Sequence, residues 1–197
     1  MWVKGRLVII SSPSGGGKNA VVNELLKIVP FSARLITTTT RPMRPGEKDG
    51  VDYYFIEKSE FEEKIKRGDF LEYNIYADNY YGAEKEILEQ FLSKYQIVFS
   101  LTEVNGKRNL DKAGVKNLSI FLMPENMEVL RERIKERGGT SARSIEERLE
   151  TAEIELNEAK NYDFIVENKE GKISETVEKI AKIIKERLNI DKKSKIS

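Results

Sequence analysis

Three glycines and a lysine, Gly15-Gly16-Gly17-Lys18, stand between an apolar run, Leu7 to Ile10, and a stretch in which Val21, Val22, Leu25, Leu26 and Val29 recur at helical spacing. Glycines let backbone N–H groups turn inward without a Cβ in the way. With the positive end of a helix dipole, such amides form a nest for an anion, and the lysine ammonium reaches its outer oxygens. The chemistry indicated is the binding of a phosphate chain. Against the pattern G-x-x-x-x-G-K-[ST], Gly17-Lys18 match, Ser12 replaces the first glycine, and Asn19 stands where a hydroxyl would normally touch magnesium. The bland alternative is a glycine-rich turn with a surface lysine, and the strand before and helix after weigh against it.

If the loop holds a nucleoside triphosphate, phosphoryl transfer needs a second anion-recognising site and cations to neutralise the migrating group. Arg41, Arg44, Arg137 and Arg148 are the candidates, because guanidinium groups stay charged and grip phosphate oxygens bidentately. Taken singly, any arginine is more often a solvated surface charge. Arg41 and Arg44, however, sit in the loop Thr37-Thr38-Thr39-Thr40-Arg41-Pro42-Met43-Arg44-Pro45-Gly46, whose hydroxyls and prolines read as a shaped, donor-rich segment. Arg137 lies beside two glycines and Arg148 on the next helical face, so both suit a mobile lid. Glu72, on a strand between Leu71 and Tyr73, offers a carboxylate that can accept the N–H and NH₂ donors of a guanine edge. A solvent-facing strand residue is its equal alternative, and Tyr53 and Tyr81 are as readily packing aromatics as phosphate donors.

The elements that must position these residues follow from the pattern. Arg34 to Ile36, Val51 to Ile56, Phe70 to Tyr76, Ile97 to Leu101, Leu118 to Leu122 and Tyr162 to Val166 read as strands. Helical spacing runs through Phe61 and Ile65 with Ser59 and Glu62 as a capping box, then from Glu84 to Leu92, Gly106 to Ala113, Met127 to Ile134, Ile145 to Ala159 with Ser144 as cap, and Ile173 to Leu188. Strands alternating with such helices predict an α/β fold with a mainly parallel sheet covered on both faces. A β-rich insert spans about 37–83, and the tail 191–197 is too polar to pack.

Composition narrows the chemistry. The 197 residues carry 34 basic and 33 acidic side chains, so no global field recruits nucleic acid or an anionic membrane. The absence of cysteine excludes thiolate chemistry and permits a reducing compartment; the absence of histidine removes the commonest general base. No apolar stretch approaches a membrane span. A cytoplasmic enzyme working by positioning and charge is expected.

The segments Ser12-Pro13-Ser14-Gly15-Gly16-Gly17-Lys18, Thr38 to Glu47, Gly50-Val51-Asp52-Tyr53, Phe70-Leu71-Glu72 and Asn79-Tyr80-Tyr81-Gly82 together resemble guanylate kinase. The likeness continues through Arg133 to Gly138, Ile145 to Leu149 and Tyr162 to Asn168. It implies a three-layer αβα phosphate-loop kinase core at 1–36 and 84–190, a GMP-binding insert at 37–83 and a helical lid at about 137–148. Ser12, Pro13, Ser14, Gly15, Gly16, Gly17, Lys18, Asn19, Ala20 and Asn168 would bind ATP, Asn168 near the adenine. Thr37, Arg41, Arg44, Tyr53, Glu72, Tyr81, Ala83 and Glu103 would line the GMP site. Lys18, Arg41, Arg137 and Arg148 would be catalytic. The reaction implied is ATP plus GMP, or dGMP, to ADP plus the nucleoside diphosphate, with Mg²⁺ held by phosphates and water and no protein partner.

The chain departs from the family pattern at Asn19, at Ala83 where a hydroxyl usually follows Tyr-Gly, and at Leu101 and Glu103 where two aspartates usually stand. Two alternatives therefore stay open: a phosphopeptide-binding module of guanylate-kinase type that has lost catalysis, and a phosphate-loop kinase with another acceptor.

Overall fold

The computed structural model describes residues 5–76, 78–136 and 142–188. Its first strand, β1 (Arg6–Ser11), is the apolar run of the amino terminus, and Leu7, Val8, Ile9 and Ile10 are all buried, as a strand covered on both faces requires. The glycine turn leads into α1 (Lys18–Ile28), which buries Val21, Val22 and Leu25 on one face and stops before Pro30. Then come β2 (Ser32–Arg34), β3 (Thr38–Thr39), β4 (Tyr54–Phe55), α2 (Lys58–Arg67), β5 (Phe70–Tyr76) and β6 (Asn79–Glu84). The chain continues through α3 (Lys85–Lys94), β7 (Ile97–Leu101), α4 (Val104–Lys112), β8 (Asn117–Pro124), α5 (Met127–Glu136) and α6 (Ala142–Asn157). A 3₁₀ turn, Glu158–Asn161, precedes β9 (Phe164–Asn168) and α7 (Ile173–Leu188).

A five-stranded sheet has the order β2-β7-β1-β8-β9, with β2 parallel to β7 and β8 parallel to β9. With its flanking helices it is the α/β, mainly parallel architecture that the alternating pattern predicts. A separate four-stranded sheet has the order β4-β3-β6-β5. By internal contacts the chain divides into two compact units, 1–7 with 31–117 and 8–30 with 118–197.

In the first unit, the small sheet is held by an aromatic cluster. Phe61 of α2 is fully buried, stacks on Phe70 at 4.2 Å and on Tyr80 at 5.0 Å between centroids. In the second unit, Leu130 and Ile134 of α5 pack with Ile145, Leu149 and Ala152 of α6 in one core cluster, so the two helices share their apolar faces.

Several local expectations are corrected. The threonine run is not all loop: Thr38 and Thr39 are β-branched, fully buried and paired with Gly82 and Tyr81 of β6, which makes them the strand β3. The expected strand Val51 to Ile56 shrinks to β4, because Asp52 N–H donates to the Lys48 carbonyl and Asp49 accepts from Phe55 N–H, folding residues 48–53 into a turn. The pairing near Arg34 lies at Ser32–Arg34 instead of Arg34 to Ile36. Ser59 is no cap: α2 starts at Lys58, and Glu57 at the cap position makes no side-chain bond. Ser144 likewise lies inside α6. The 3₁₀ turn delays β9 to Phe164. Arg137 and the tail 191–197 lie outside the described residues.

Candidate nucleotide site

The glycine turn in the second unit is held from several sides. Gly16 N–H and the Ser12 hydroxyl both donate to the Pro13 carbonyl at 2.9 Å. Ser12 is buried and lies against Gly16 so closely that a Cβ there would meet the Ser12 hydroxyl at 2.4 Å. The serine in place of the usual first glycine is thus absorbed by a neighbour with no side chain. Gly17 sits at φ 90, in the left-handed region, where a side chain would be strained and would meet the Asn168 amide nitrogen at 2.7 Å. The Lys18 ammonium donates to the Ser12 carbonyl at 2.7 Å, folded over the loop it flanks. Asn19 and Ala20 are exposed in the first turn of α1.

Asn168, at the end of β9, is buried and donates from Nδ2 to the Gly16 carbonyl at 3.0 Å. Its Oδ1 accepts from the Thr176 hydroxyl of α7 at 3.1 Å. Arg148 is half-buried on α6, next to buried Leu149. Arg133 of α5 was not singled out from the sequence; it donates to Glu170 at 2.8 Å and keeps Nη1 buried with no partner among the described residues. Its spacing of four from Arg137 was the available signal.

The first unit gathers a second set. Arg41 donates from Nη2 to Glu47 at 2.8 Å and from Nη1 to the Pro42 carbonyl at 2.7 Å, while its backbone N–H donates to the Thr39 hydroxyl at 3.2 Å. The other Glu47 oxygen accepts from Arg44 N–H at 2.8 Å. The Arg41 guanidinium lies 5.5 Å from the Tyr53 ring centroid and 5.6 Å from that of Phe55, and Tyr53 meets Tyr81 edge-on at 6.0 Å. The hydrogen bond to Glu47 raises the Arg41 pKa above its ordinary value, and the same bond lowers that of Glu47. Arg41, Tyr53 and Tyr81 therefore form one cluster, with exposed Arg44 attached through Glu47. The Thr37 carbonyl accepts from Tyr54 N–H at 2.9 Å at the edge of the same sheet. Glu47 was visible only as an acid among arginines.

Glu72 lies on β5 opposite Ala83 of β6, after a bulge between Phe70 and Glu72. Its carboxylate oxygen comes within 3.0 Å of where a Cβ on Gly106 of α4 would stand. Burial first, and the charge of Glu103 second, push the Glu72 pKa up to about 7. Glu103 is exposed at the cap of α4, Leu101 is half-buried at the end of β7, and Ala83 is buried at 1% exposure. Ala83 thus underlies the set as a neighbour of Glu72 with no surface of its own to offer.

A glycine nest between a parallel strand and a helix, with Lys18 folded across it, in a sheet of this order, defines the phosphate-loop kinase class. A family model for guanylate kinase matches residues 4–187. The chain is 38% identical over 181 residues to the guanylate kinase of Rickettsia bellii, covering 92% of this chain and 94% of that one, and 39% identical over 171 residues to that of Clostridioides difficile, covering 87% and 83%. A crystal structure of guanylate kinase from Anaplasma phagocytophilum superposes with a TM-score of 0.72 at 29% identity, over 93% of this chain and 86% of that one. A shikimate kinase from Bacteroides thetaiotaomicron, at 14% identity and a TM-score of 0.50, shares the fold alone. The chain belongs to the guanylate kinase family. Among the described residues, no helix is long and apolar enough to cross a membrane.

Proposed function

We propose that this enzyme transfers the γ-phosphoryl group of ATP to GMP, and to dGMP, giving ADP and the nucleoside diphosphate. The observation that carries the guanine part is Glu72: a carboxylate sheltered between β5 and α4, with no hydrogen bond from any described residue, in the same unit as the Arg41 cluster. Half-buried, that carboxylate keeps only a partial water shell, and guanine supplies an N–H and an NH₂ side by side to replace it. Adenine does not.

In this reading Lys18 and the amides of residues 15 to 20 bind the ATP phosphates, with Ser12, Pro13 and Ser14 shaping the loop. Arg41, Arg44, Tyr53 and Tyr81 hold the GMP phosphate, Glu72 reads the guanine with Thr37 nearby, and Glu103 supports the base site. Residues 37–83 act as the GMP-binding insert on a core of 1–36 and 84–190, and the lid at about 137–148 brings Arg137 and Arg148 to the transferring group. A GMP phosphate oxygen, already ionised, attacks the γ-phosphorus; the bond to the β–γ bridging oxygen breaks, and ADP leaves with that oxygen. No general base and no covalent enzyme intermediate are required, which suits a chain without histidine or cysteine.

The reaction takes Mg²⁺ with ATP. The donor set fits an ion carried by phosphates and water: no group of three or more acidic side chains that could hold a metal stands among the described residues, and Asn19 presents an exposed amide beside the loop. Bound there, the ion would supply neutralisation of the β- and γ-phosphate charge. The same proposal places the enzyme in the cytoplasm.

A coupled ADP-release assay with ATP, Mg²⁺ and GMP, dGMP, AMP, CMP or UMP tests the reading. Turnover with GMP and dGMP alone is expected. Comparable turnover with AMP refutes the role of Glu72, and no turnover by folded protein refutes the activity.

A further inference from the structure

The Gly16–Gly17 peptide is trans, as every described peptide is, so the Gly16 carbonyl and the Gly17 N–H point in opposite directions within one plane. Whatever fixes the carbonyl also fixes where the N–H is aimed. The group that fixes it is Asn168, whose Nδ2 donates to the Gly16 oxygen across 152 positions of sequence. An asparagine side chain can present either its nitrogen or its oxygen to a neighbour, and only the nitrogen attracts a carbonyl. Thr176 decides between them. Its hydroxyl donates to Asn168 Oδ1 at 3.1 Å, nearer than its two other acceptors, the carbonyls of Glu167 at 3.3 Å and Lys172 at 3.5 Å.

We infer that Thr176, acting through Asn168, is a positioning residue that aims the Gly17 N–H of the phosphate loop at the bound phosphate. Both side chains are buried, Asn168 at 5% and Thr176 at 1% exposure, so solvent does not compete for these bonds. Gly17 is matched to the same device: its missing Cβ leaves the space that the Asn168 amide occupies. Without the Thr176 hydroxyl the amide loses its second anchor, its nitrogen is held less firmly against the Gly16 oxygen, and the Gly16–Gly17 peptide gains freedom to rotate. The nest then loses one of its aimed donors. The inference rests on the phosphate-binding role of the loop and is independent of the acceptor.

The test compares wild type with Thr176→Val, which keeps the shape and removes the hydroxyl, and Thr176→Ser, which restores it. Direct titration with ATP in the absence of acceptor, KM for GMP, melting temperature, and the ¹⁵N–¹H resonance of Gly17 are measured. Thr176→Val is expected to weaken ATP binding by about fivefold, the worth of one buried hydrogen bond, and to move the Gly17 resonance while leaving KM for GMP unchanged; Thr176→Ser reverts both. Unchanged ATP affinity in Thr176→Val overturns the inference. So does a loss shared by ATP and GMP together with lowered melting, and so does a serine that fails to rescue. Should Thr176→Val not fold, Asn168→Asp provides the same decision, since it removes the donor at constant size: unchanged ATP affinity and an unmoved Gly17 resonance overturn the inference. Wild type that binds ATP without phosphorylating GMP refutes the proposed activity and leaves these comparisons intact.

Discussion

Glu72 and Ala83 stand directly opposite one another across the β5–β6 ladder, so their side chains share one face of the sheet. The alanine methyl is buried and gives the carboxylate no hydrogen bond. Placing a hydroxyl there by Ala83→Ser supplies a donor to Glu72, which favours its ionised form. At pH 7 the expected outcome is a KM for GMP lowered about threefold, with KM for ATP unchanged, measured by the coupled assay. An unchanged KM for GMP would show that the hydroxyl does not reach the carboxylate.

The raised pKa of Glu72 gives two opposite pH dependences. The ionised form accepts the guanine donors, so affinity for GMP should rise as pH increases through about 7, by the loss of one proton. Folding runs the other way. A folded-state pKa of about 7 against an ordinary value of 4.5 means that the fold favours the protonated carboxyl. Its contribution to stability is fully present below about pH 4.5 and is lost as pH rises to about 7. Glu72→Gln should therefore melt above wild type at pH 8 and bind GMP weakly at every pH. Thermal melts and GMP titrations at pH 5.5 and 8.5 check both signs.

Glu47 holds the Arg41 guanidinium in place over Tyr53 and Phe55. Glu47→Gln keeps one acceptor and loses the charge, so the arginine is expected to wander and KM for GMP to rise about fivefold, with little change in KM for ATP. Arg41→Lys should cost more, because an ammonium cannot grip two oxygens in one plane. The double variant should fall no further than Arg41→Lys alone, which a cycle of KM values will show.

Gly17→Ala meets two obstacles together, a φ of 90 and the Asn168 nitrogen at 2.7 Å. It should lower stability by about 1–3 kcal/mol in denaturant melts and weaken ATP binding. Lys18→Ala, by contrast, removes a side chain that reaches back to the Ser12 carbonyl and should leave melting nearly unchanged while kcat falls by about 10²-fold or more.

The parts legible in the sequence were those with local causes. The apolar run of β1, the glycines, the periodic faces of α1 and α7, and the full extent of β5 follow from neighbours a few residues apart. The strand β3 did not, because two threonines read as loop until Gly82 and Tyr81, some forty positions on, pair with them. A far longer separation, 152 positions, hid the hold of Asn168 on Gly16, and with it the part played by Thr176. Glu47 was close to Arg41 in sequence, yet which acid partners which arginine depends on how the prolines turn the loop. The capping signals at Ser59 and Ser144 misled because both serines lie inside their helices, past the first residue. The burial of Ala83 could not be read from a small apolar residue that suits either surface or interior.

The burial of Glu72, to which the charge of Glu103 adds, has a further consequence in a chain that contains no histidine. Histidine is the side chain that ordinarily exchanges protons near neutrality, and here a sheltered glutamate occupies that range instead. On the proposed reading GMP displaces a proton from Glu72, so the heat of binding is expected to vary with the ionisation enthalpy of the buffer. On the proposed role of Glu72, a fall in pH below about 7 is expected to raise KM for GMP while KM for ATP stays unchanged.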